Sequence, residues 1–386
     1  MKVAIFHPSL NRGGGAERVC LTTIKALMNA GHNVKLITVD KVDWRLLEKR
    51  FGEFLKPIEE IYFFDGLPGR GWYSQTAFMV PSFVANIFSS KLEDFDITFN
   101  TGGELFASIT DISYVNALPV KIMRFYSDSG YPNFFGFRFA SQIYDLFSDV
   151  INSFLKSNLL LVNSIFLKKI IQRHFNGDVL VVYPPVDVRK LLNFGKRMRC
   201  REDVVVSVSR LRSGKNLEII PKIAEKVEKG KFLIFGSADQ ASSEVIARLT
   251  RVIDSLNVGG RVRLFVNEPF EKLWETISSA KIFLHTQFTE AFGMSVVEGM
   301  AAGCVPVVPR CGGPWFDILE CKQGVYGFSY RNVEEAADLI NTLLSDEGLR
   351  VDVAARAAER AKSFDSAVFE RKILDIVAKV FKAKFG

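Results

Sequence analysis

Two glutamates, Glu290 and Glu298, flank a small, glycine-containing stretch in TEAFGMSVVEGMAAG. Glu290 lies in a predicted loop whose backbone N–H groups are free to bind a ligand. A carboxylate there can accept hydrogen bonds from hydroxyl groups or balance positive charge on a ligand. Glu298 has a structural explanation as well, because residues 295–298 match a capping box in which Ser295 caps a helix and Glu298 bonds back to it. Glu290 is therefore the stronger candidate for chemistry.

A basic loop at residues 209–216 follows one predicted strand and precedes a helix. Arg210 can hold phosphate oxygens through two hydrogen bonds, and Lys215 adds a compact positive charge. A solvated basic turn is the default interpretation for an isolated loop of this kind. Its position at a strand end favours a phosphate site over that default.

A glycine-rich loop, NRGGGAE at residues 11–17, follows the first apolar run. Gly13 and Gly14 allow close backbone approach to a ligand, and the helix predicted from about residue 16 offers free N–H groups and a positive dipole end. A phosphate suits this site, and a tight turn that merely needs glycine fits it equally well. The loop is not GxGxxG, so a nicotinamide dehydrogenase, with Asp40 as its ribose-binding acid, gains little support.

Two of the four histidines, His7 and His285, end predicted strands. Ligands of parallel α/β folds bind beyond the carboxyl ends of the strands, so both imidazoles are candidates for contact with a sugar or an acceptor. We expect structural roles for His32 and His174.

The composition is that of a globular protein, with 386 residues of which 48% are hydrophobic and 24% charged. This length suggests two domains. The five cysteines are odd in number and form no CxxC pair, which predicts a reducing compartment and argues against a disulfide framework. We expect a cytoplasmic protein, because residues 1–11 are typical of a first strand and no apolar run approaches the ~20 residues of a membrane span.

The order of predicted elements is βαβ in both halves, which indicates two doubly wound parallel-sheet domains of Rossmann-like fold facing across a cleft. We predict an N-terminal acceptor-side domain at residues 1–185 and a linker at 186–201. A nucleotide-sugar-binding domain is expected at 202–365. A helix is predicted at 366–386, and crossing back to the first domain is one arrangement open to it. Strands are expected near residues 3–6, 33–39, 61–64, 97–100, 121–125, 159–162, 179–182, 204–206, 232–235, 262–266, 282–284 and 305–308.

The chain resembles the retaining family 4 glycosyltransferases of GT-B fold over nearly its whole length. The resemblance is carried by Glu290 and Glu298 with seven residues between them, an E-x7-E motif. Arg210, Lys215 and the glycine loop support it, as do residues 163–164 and 183–187. The stretch at 285–318 looks especially like the mannosyltransferases that extend the lipid-linked oligosaccharide of N-glycosylation.

The resemblance assigns a role to each matching residue. Arg210 and Lys215 bind the donor diphosphate and stabilise the leaving nucleotide, and Glu290 binds sugar hydroxyls and steadies charge at the anomeric carbon. Further donor contacts are expected from Glu298, from the backbone of Phe292, Gly293 and Met294, and from Gly13 and Gly14. The resemblance implies transfer that needs no metal or other cofactor, and we find no Asp-x-Asp pair that would hold one. The family's N-terminal-domain histidine is replaced by Arg124, which either takes over that contact or is misaligned by a residue.

The implied reaction moves a hexose, with mannose favoured, from GDP-mannose to a lipid-linked or glycan acceptor. A UDP-sugar is the alternative donor, and a catalytically silent nucleotide-binding module is the alternative class. The net charge of +7 also allows nucleic acid, but the chain has neither a motif nor a concentrated basic block for it. Aromatic and basic residues mix at 83–91, 131–139 and 154–175. This pattern predicts peripheral contact with the cytoplasmic face of a membrane, which suits a polyprenyl-linked acceptor.

Overall fold

The computed structural model describes residues 1–11, 13–52, 55–65, 95–102, 110–117, 159–173, 177–197, 200–238 and 242–386. The chain divides into two compact units. The first comprises Met1–Tyr126, Tyr131–Pro185 and Ser366–Gly386, and the second comprises Val186–Asp365 with Ser127–Gly130. The predicted strand at 121–125, Arg124, and the aromatic stretches at 83–91 and 131–139 lie outside the described residues.

The first unit is built on a parallel sheet. Its strands are β1 (Lys2–Phe6), β2 (Asn33–Asp40), β3 (Glu59–Phe64), β4 (Ile97–Asn100), β5 (Ile112–Val115), β6 (Leu159–Val162) and β7 (Val179–Val181). The described helices between them are α1 (Gly15–Asn29), α2 (Trp44–Phe51) and α3 (Ile165–Ile171). The strand order is β3-β2-β1-β4-β5-β6-β7, so the chain winds outward in both directions from β1. Such a sheet is covered on both faces, which explains why apolar residues run continuously along β1.

The second unit repeats this plan. Its strands are β8 (Glu202–Arg210), β9 (Lys231–Ser237), β10 (Val262–Val266), β11 (Ala280–Leu284), β12 (Val305–Pro309) and β13 (Phe328–Tyr330). Its helices are α4 (Val188–Arg197), α5 (Ile219–Lys226), α6 (Ser243–Ser255), α7 (Phe270–Ser279), α8 (Met294–Ala301), α9 (Val333–Ser345) and α10 (Glu347–Ala361). The order β10-β9-β8-β11-β12-β13 places the ends of β8 and β11 side by side. The predicted doubly wound architecture is therefore confirmed in both units.

The C-terminal helix α11 (Ser366–Phe385) belongs to the first unit although it follows the second in sequence. Phe369, Ile373 and Val377 occupy one face of α11 and are buried in the same hydrophobic core as residues of β1 and α1. Their spacing of four residues matches the period of a helix that covers a sheet. The ring of Phe369 also meets Tyr114 edge-on at 6.0 Å.

The segment predicted as a linker contains helix α4. Its sequence is polar and basic overall, but Val188 and Leu191 are buried. Phe194 packs edge-on against Trp274 of α7 at 5.5 Å between ring centroids. Gly195 allows still closer contact, because a Cβ there would lie 2.6 Å from the carbonyl oxygen of Ala302. The buried positions are too sparse in this basic stretch to reveal the helix by periodicity.

Several other elements were not predicted. These are α2, β5, α3, β13, α9 and α10. The strands β5 and β13 are short and contain serine, Ile-Ser-Tyr-Val and Phe-Ser-Tyr, so they lack a clear apolar run.

Candidate active site in the second unit

The loop that carries Glu290 begins at the carboxyl end of β11 and is clamped by two glycines. The backbone N–H of Gly313 donates to the carbonyl oxygen of Glu290 at 2.8 Å. A Cβ on Gly313 would lie 2.1 Å from the carbonyl oxygen of Ala291, and one on Gly312 would lie 2.7 Å from that of Glu290. Gly312 also has a φ of 72°, which favours glycine. The glycine pair therefore fixes the backbone from which the Glu290 side chain extends.

The structure brings Glu290 and Lys215 into direct contact, as two neighbouring strand ends allow. Lys215 Nζ donates to Glu290 Oε2 at 2.8 Å and also to the amide oxygen of Gln287. The two charged side chains are 18% and 19% exposed. The Lys215 backbone is held too, because the hydroxyl of Thr286 donates to its carbonyl oxygen at 2.6 Å.

Charge around Glu290 keeps its carboxylate ionised. Burial raises the pKa of this carboxyl, but Lys215 outweighs burial and lowers the pKa to about 2, with help from His285, which is protonated at the low pH where Glu290 titrates, and from Arg210. Arg210 is the last residue of β8 and is exposed. The sequence-predicted pair Arg210 and Lys215 thus both act on the charge of Glu290.

His285 lies directly behind Glu290 and is 4% exposed. Its Nε2 is 3.8 Å from Glu290 Oε2. Among the residues that the structure describes, this buried nitrogen has no hydrogen-bond partner, and neither does the hydroxyl of Thr289. Burial and the nearby Lys215 charge lower the pKa of the His285 imidazole to about 4 despite the attraction of Glu290, so the ring is neutral at physiological pH.

The helix α8 presents its N-terminus next to Glu290. Gly293 is the N-cap, with a left-handed φ of 96°, and no side chain caps this end. The predicted cap at Ser295 is therefore wrong. The left-handed Gly293 starts the helix earlier than the serine pattern predicted, so residues 295–298 form no capping box. Glu298 lies half-buried within α8 and is not the reciprocal partner of a serine cap.

The first unit carries a second cluster, under its glycine loop. The backbone N–H of Gly14 donates to Glu17 Oε2 at 2.7 Å, and Gly13 has a φ of 58°. Glu17 is buried, with its Oε1 3.8 Å from Nε2 of the buried His7. The other ring nitrogen of His7 lies 3.0 Å from the hydroxyl of Thr101. His7 therefore has a bracing role beneath the loop.

Asp40 also supports this loop. Its Oδ2 accepts hydrogen bonds from Ser9 Oγ at 3.0 Å and from Asn11 Nδ2 at 2.9 Å. The oxygen Oδ1 is buried without a partner among the described residues. Asp40 thus holds the start of the loop, and the structure gives this strand-end acid a local function unrelated to a ribose.

A metal centre is not found in the part of the chain that the structure describes, where no three His, Cys, Asp or Glu residues are grouped to hold an ion. The expectation that the sequence lacks an Asp-x-Asp pair is corrected here, because Asp94-Phe95-Asp96 has this pattern. Asp94 lies outside the described residues. Asp96 precedes β4, at the opposite end of that strand from the ligand-binding edge, and accepts a hydrogen bond from the backbone N–H of Lys2 at 2.7 Å.

The aromatic and basic segment at 154–175 is described from residue 159 to residue 173. There, Lys168 and Lys169 of α3 line an open cavity of about 560 Å³ together with Tyr183 and Lys372. Lys372 Nζ lies 5.7 Å from the centre of the Tyr183 ring. In the described part of the chain, no helix is both long enough and apolar enough to cross a membrane.

Sequence reasoning missed Gln287 and Thr286, which hold Lys215, and gave no role to the glycines at 312 and 313. A signal for the glycines was present, since a Gly-Gly-Pro sequence follows directly after β12. Gln287 and Thr286 carried no comparable signal. Their contacts depend on the pairing of β11 beside β8, which places residues that are distant in sequence opposite each other.

Two parallel sheets of this order, with a basic strand end and an acidic strand end joined in one cluster, are the features of a GT-B glycosyltransferase. The comparison with protein families agrees, because residues 190–362 match the family Glycosyl transferases group 1. This range covers most of the second unit. That unit is a group 1 glycosyltransferase domain, and the chain is a glycosyltransferase of GT-B fold. The match supports the predicted glycosyltransferase family for this unit, and the predicted fold and enzyme class are confirmed.

Curated relatives extend the similarity. A GDP-Man:Man(3)GlcNAc(2)-PP-Dol alpha-1,2-mannosyltransferase of Dictyostelium discoideum is 25% identical over 98% of this chain and 84% of its own length. The Homo sapiens protein with the same description is 32% identical over 52% of this chain and 44% of its own length. Among solved structures, Anabaena Alr3699/HepE in complex with UDP and glucose has a TM-score of 0.72 at 18% identity, covering 98% of this chain and 99% of that chain. This last similarity concerns the fold alone.

Proposed function

We propose that this protein is a retaining hexosyltransferase that moves mannose from GDP-mannose to a lipid-linked oligosaccharide. The observation that carries the proposal is the contact between Lys215 and Glu290 beside the uncapped N-terminus of α8. A cation for a diphosphate and a carboxylate for a sugar thus stand next to each other, as the transfer of a sugar from a nucleotide diphosphate requires. The names of the Dictyostelium and human relatives support GDP-mannose as the donor and a dolichol-linked acceptor.

The proposed mechanism assigns the developing charges to these residues. Arg210 and Lys215 bind the diphosphate and stabilise the negative charge that grows as the nucleotide leaves. The positive end of the α8 dipole, with the backbone N–H groups of Phe292, Gly293 and Met294, adds to this stabilisation. These groups are fixed by the fold, so they need little rearrangement when the charge develops.

The sugar and the nucleoside have separate contacts in this proposal. Glu290, with its pKa lowered to about 2, stays ionised and balances the oxocarbenium-like charge at the anomeric carbon. Glu298 accepts hydrogen bonds from the ribose hydroxyls, and the backbone of Gly13 and Gly14 in the first unit is proposed to bind a phosphate. Transfer proceeds without a metal ion.

A UDP-sugar is the second candidate donor. The observation that favours it is the likeness of fold to the Anabaena protein, whose structure holds UDP and glucose. A measurement of nucleotide binding separates the two donors.

A thermal-shift panel tests the proposal. GDP, UDP, ADP, dTDP and their sugar nucleotides are added to the protein with and without magnesium. Ligand at a hundredfold excess over its Kd stabilises a protein by about 2.7 kcal/mol, which gives a clear rise in Tm. We expect the largest rise with GDP and GDP-mannose, independent of magnesium. A larger rise with UDP would identify the alternative donor.

The control is a pair of double variants in the same unit. Arg210→Ala/Lys215→Ala is expected to lose the GDP-dependent rise. Lys222→Ala/Arg263→Ala removes the same charge from two exposed positions away from the loop and is expected to keep it. No rise with any nucleotide in a folded sample would contradict the transferase proposal and favour a silent module.

The acceptor proposal includes contact with the cytoplasmic face of a membrane. Three lysines, Lys168, Lys169 and Lys372, line one cavity of the first unit and give that surface a local positive charge. Anionic headgroups attract such clusters by about 1 kcal/mol per basic residue. We expect the protein to float with vesicles that contain phosphatidylserine, and to float less after Lys168→Ala/Lys372→Ala. Absence from the vesicle fraction would contradict membrane contact.

A further inference from the structure

The ammonium group of Lys215 is already engaged. It donates to Glu290 Oε2 at 2.8 Å and to Gln287 Oε1. A lysine has three hydrogens to donate. Two of them are in use, so a nucleotide diphosphate can accept the third, and its negative charge then shares the ammonium with Glu290. The carboxylate therefore loses part of its main counter-charge when the donor arrives.

A replacement partner for Glu290 is in place. His285 Nε2 is buried, lacks a hydrogen-bond partner among the described residues, and lies 3.8 Å from Glu290 Oε2. Leaving a buried polar atom unsatisfied costs about 1–3 kcal/mol, so a small movement that closes this gap is favourable. The distance is just beyond hydrogen-bonding range, and a rotation of the Glu290 side chain can bridge it.

We propose that donor binding makes Glu290 exchange partners, so that Lys215 turns to the diphosphate and His285 Nε2–H takes the carboxylate and orients it toward the sugar. This inference rests on the proposed function, because it requires a diphosphate at Lys215. His285 is then a positioning residue that acts through Glu290. Without the exchange, the carboxylate would remain bound to the cation that the leaving group needs.

The surroundings of His285 suit this role. Its backbone N–H donates to Val307 at 2.9 Å, and its carbonyl oxygen accepts from the hydroxyl of Tyr330 at 2.7 Å. The backbone of His285 is thus held at a strand end, whereas Glu290 extends from a loop, so Glu290 is the side chain that moves. Glu290 and Lys215 are the charged groups in the described structure whose fields act on the imidazole. A neutral ring is required, because an imidazolium next to Lys215 would add a second buried positive charge.

Histidine NMR tests the exchange directly. The protein has four histidines, so the His285 signals can be assigned by their loss in His285→Gln. In the free protein we expect the ring to stay neutral down to about pH 4. Saturating GDP is expected to raise the His285 pKa by at least about one pH unit, since Lys215 leaves and the full charge of Glu290 faces the ring. The variant Lys215→Ala is expected to show the same rise without any nucleotide.

The outcomes separate this inference from the function it rests on. GDP binding is followed by thermal shift on the same samples. Stabilisation by GDP without a change in the His285 titration would overturn the exchange and leave the donor site standing. An unchanged titration in Lys215→Ala would also overturn it, whatever nucleotides do. Absence of nucleotide binding would overturn the proposed function and the exchange together.

Kinetics supply a second test. His285→Gln keeps an N–H donor near the position of Nε2 at every pH, and His285→Leu removes it. We expect His285→Leu to lower kcat about 10-fold or more, with the GDP Kd within about twofold of the parent value, and His285→Gln to recover most of the loss. Equal losses in both variants would show that the ring only fills space, and would overturn the positioning role.

Discussion

The two units each contain a buried histidine at a strand end with a glutamate beside it. His7 Nε2 lies 3.8 Å from Glu17 Oε1, and His285 Nε2 lies 3.8 Å from Glu290 Oε2. The spacing is the same, but the two imidazoles differ in charge. Burial lowers the pKa of both rings, and in His7 the contributions of Cys20 and Glu17 outweigh burial and raise the pKa to about 9. In His285 the pKa falls to about 4.

The groups around each ring explain the difference. Cys20 and then Glu17 raise the pKa of His7, and Thr101 completes the hydrogen bonds of that ring. Thr101 donates its hydroxyl hydrogen to Phe6 at 3.2 Å, so the oxygen accepts from His7 Nδ1–H and leaves Nε2–H for Glu17. In the second unit, Lys215 forms an ion pair with the Glu290 carboxylate, which would otherwise be free to accept a hydrogen bond from His285. In the first unit, the hydrogen bonds of His7 are satisfied and the ring supports the loop. In the second unit, His285 has a ring nitrogen without a hydrogen-bond partner among the described residues, next to Glu290, whose ion pair with Lys215 a bound ligand can weaken. The unsatisfied cluster is therefore the one suited to chemistry.

Removing the glutamate gives the sharpest test of this contrast. Glu290→Ala is expected to lower kcat about 10²–10³-fold with the fold kept, because charge stabilisation at the sugar is lost. Glu17→Ala is expected to lower stability instead, by about 3 kcal/mol, because it leaves His7 buried without its carboxylate. Transfer assays and thermal unfolding of both variants check this, with the exposed Glu275→Ala as control. Near-normal transfer by Glu290→Ala would remove its assigned role.

The glycine clamp of the second unit is expected to be intolerant of a methyl group. Gly313→Ala places a Cβ 2.1 Å from the carbonyl oxygen of Ala291, so the Glu290 loop must shift. We expect a loss of about 3 kcal/mol in the free energy of unfolding, together with loss of transfer. The matched control is Gly348→Ala in α10, where the nearest atom to the new Cβ is 3.5 Å away. That variant is expected to be neutral or slightly stabilising, and equal effects in the two would contradict the clamp.

The different charge states of the two histidines, protonated His7 and neutral His285, predict opposite pH dependence. His7, with its pKa raised to about 9, stabilises the fold fully below its unfolded value of 6.5, and this contribution is lost as pH rises through about 9. His285, with its pKa lowered to about 4, contributes above pH 6.5, and this is lost as pH falls through about 4.

Two variants measure these contributions. His7→Gln is expected to cost on the order of 2 kcal/mol more near pH 6 than near pH 10, and His285→Gln to cost more near pH 7 than near pH 4. The Tm difference between variant and parent, followed across pH, isolates each ring. Parallel curves for a variant and the parent would show that the charge state assigned to that histidine is wrong.

The sequence predicted which strand ends form the Glu290 site, but not the hydrogen-bond partners within that site. Arg210, Lys215 and Glu290 follow two predicted parallel strands, and carboxyl ends of neighbouring parallel strands meet at one edge. The charge of His285 was not predictable, because it depends on how far Lys215 reaches across from the adjacent strand. The cap at Ser295 was wrong because Gly293 adopts a left-handed conformation, which a pattern of residue types does not encode. The helix α4 was not predicted because its sequence is basic and has few apolar residues. The face that these residues form is recognised only from its packing against α7 and α8.

A substitution in the glycine loop of the first unit, Gly14→Ala, is expected to have the smallest effect on stability of the changes considered. Its effect on function is expected to be confined to binding of the sugar nucleotide. The two interpretations of the loop, a phosphate site and a tight turn, differ in what Gly14→Ala does. Gly14 has a φ of −110°, which alanine adopts freely, and a Cβ there would lie 3.0 Å from Glu17 Oε2. The cost in stability is therefore expected to stay below about 1 kcal/mol.

If the backbone of this loop approaches the donor phosphate, the same methyl group stands in the way. The KM for the sugar nucleotide is then expected to rise about 10-fold while Tm changes by a few degrees at most. A steady-state assay beside thermal unfolding separates the two interpretations. An unchanged KM would identify the loop as a turn supported by His7 and Glu17. Both residues would then serve the fold alone, in contrast to Glu290, which serves the reaction.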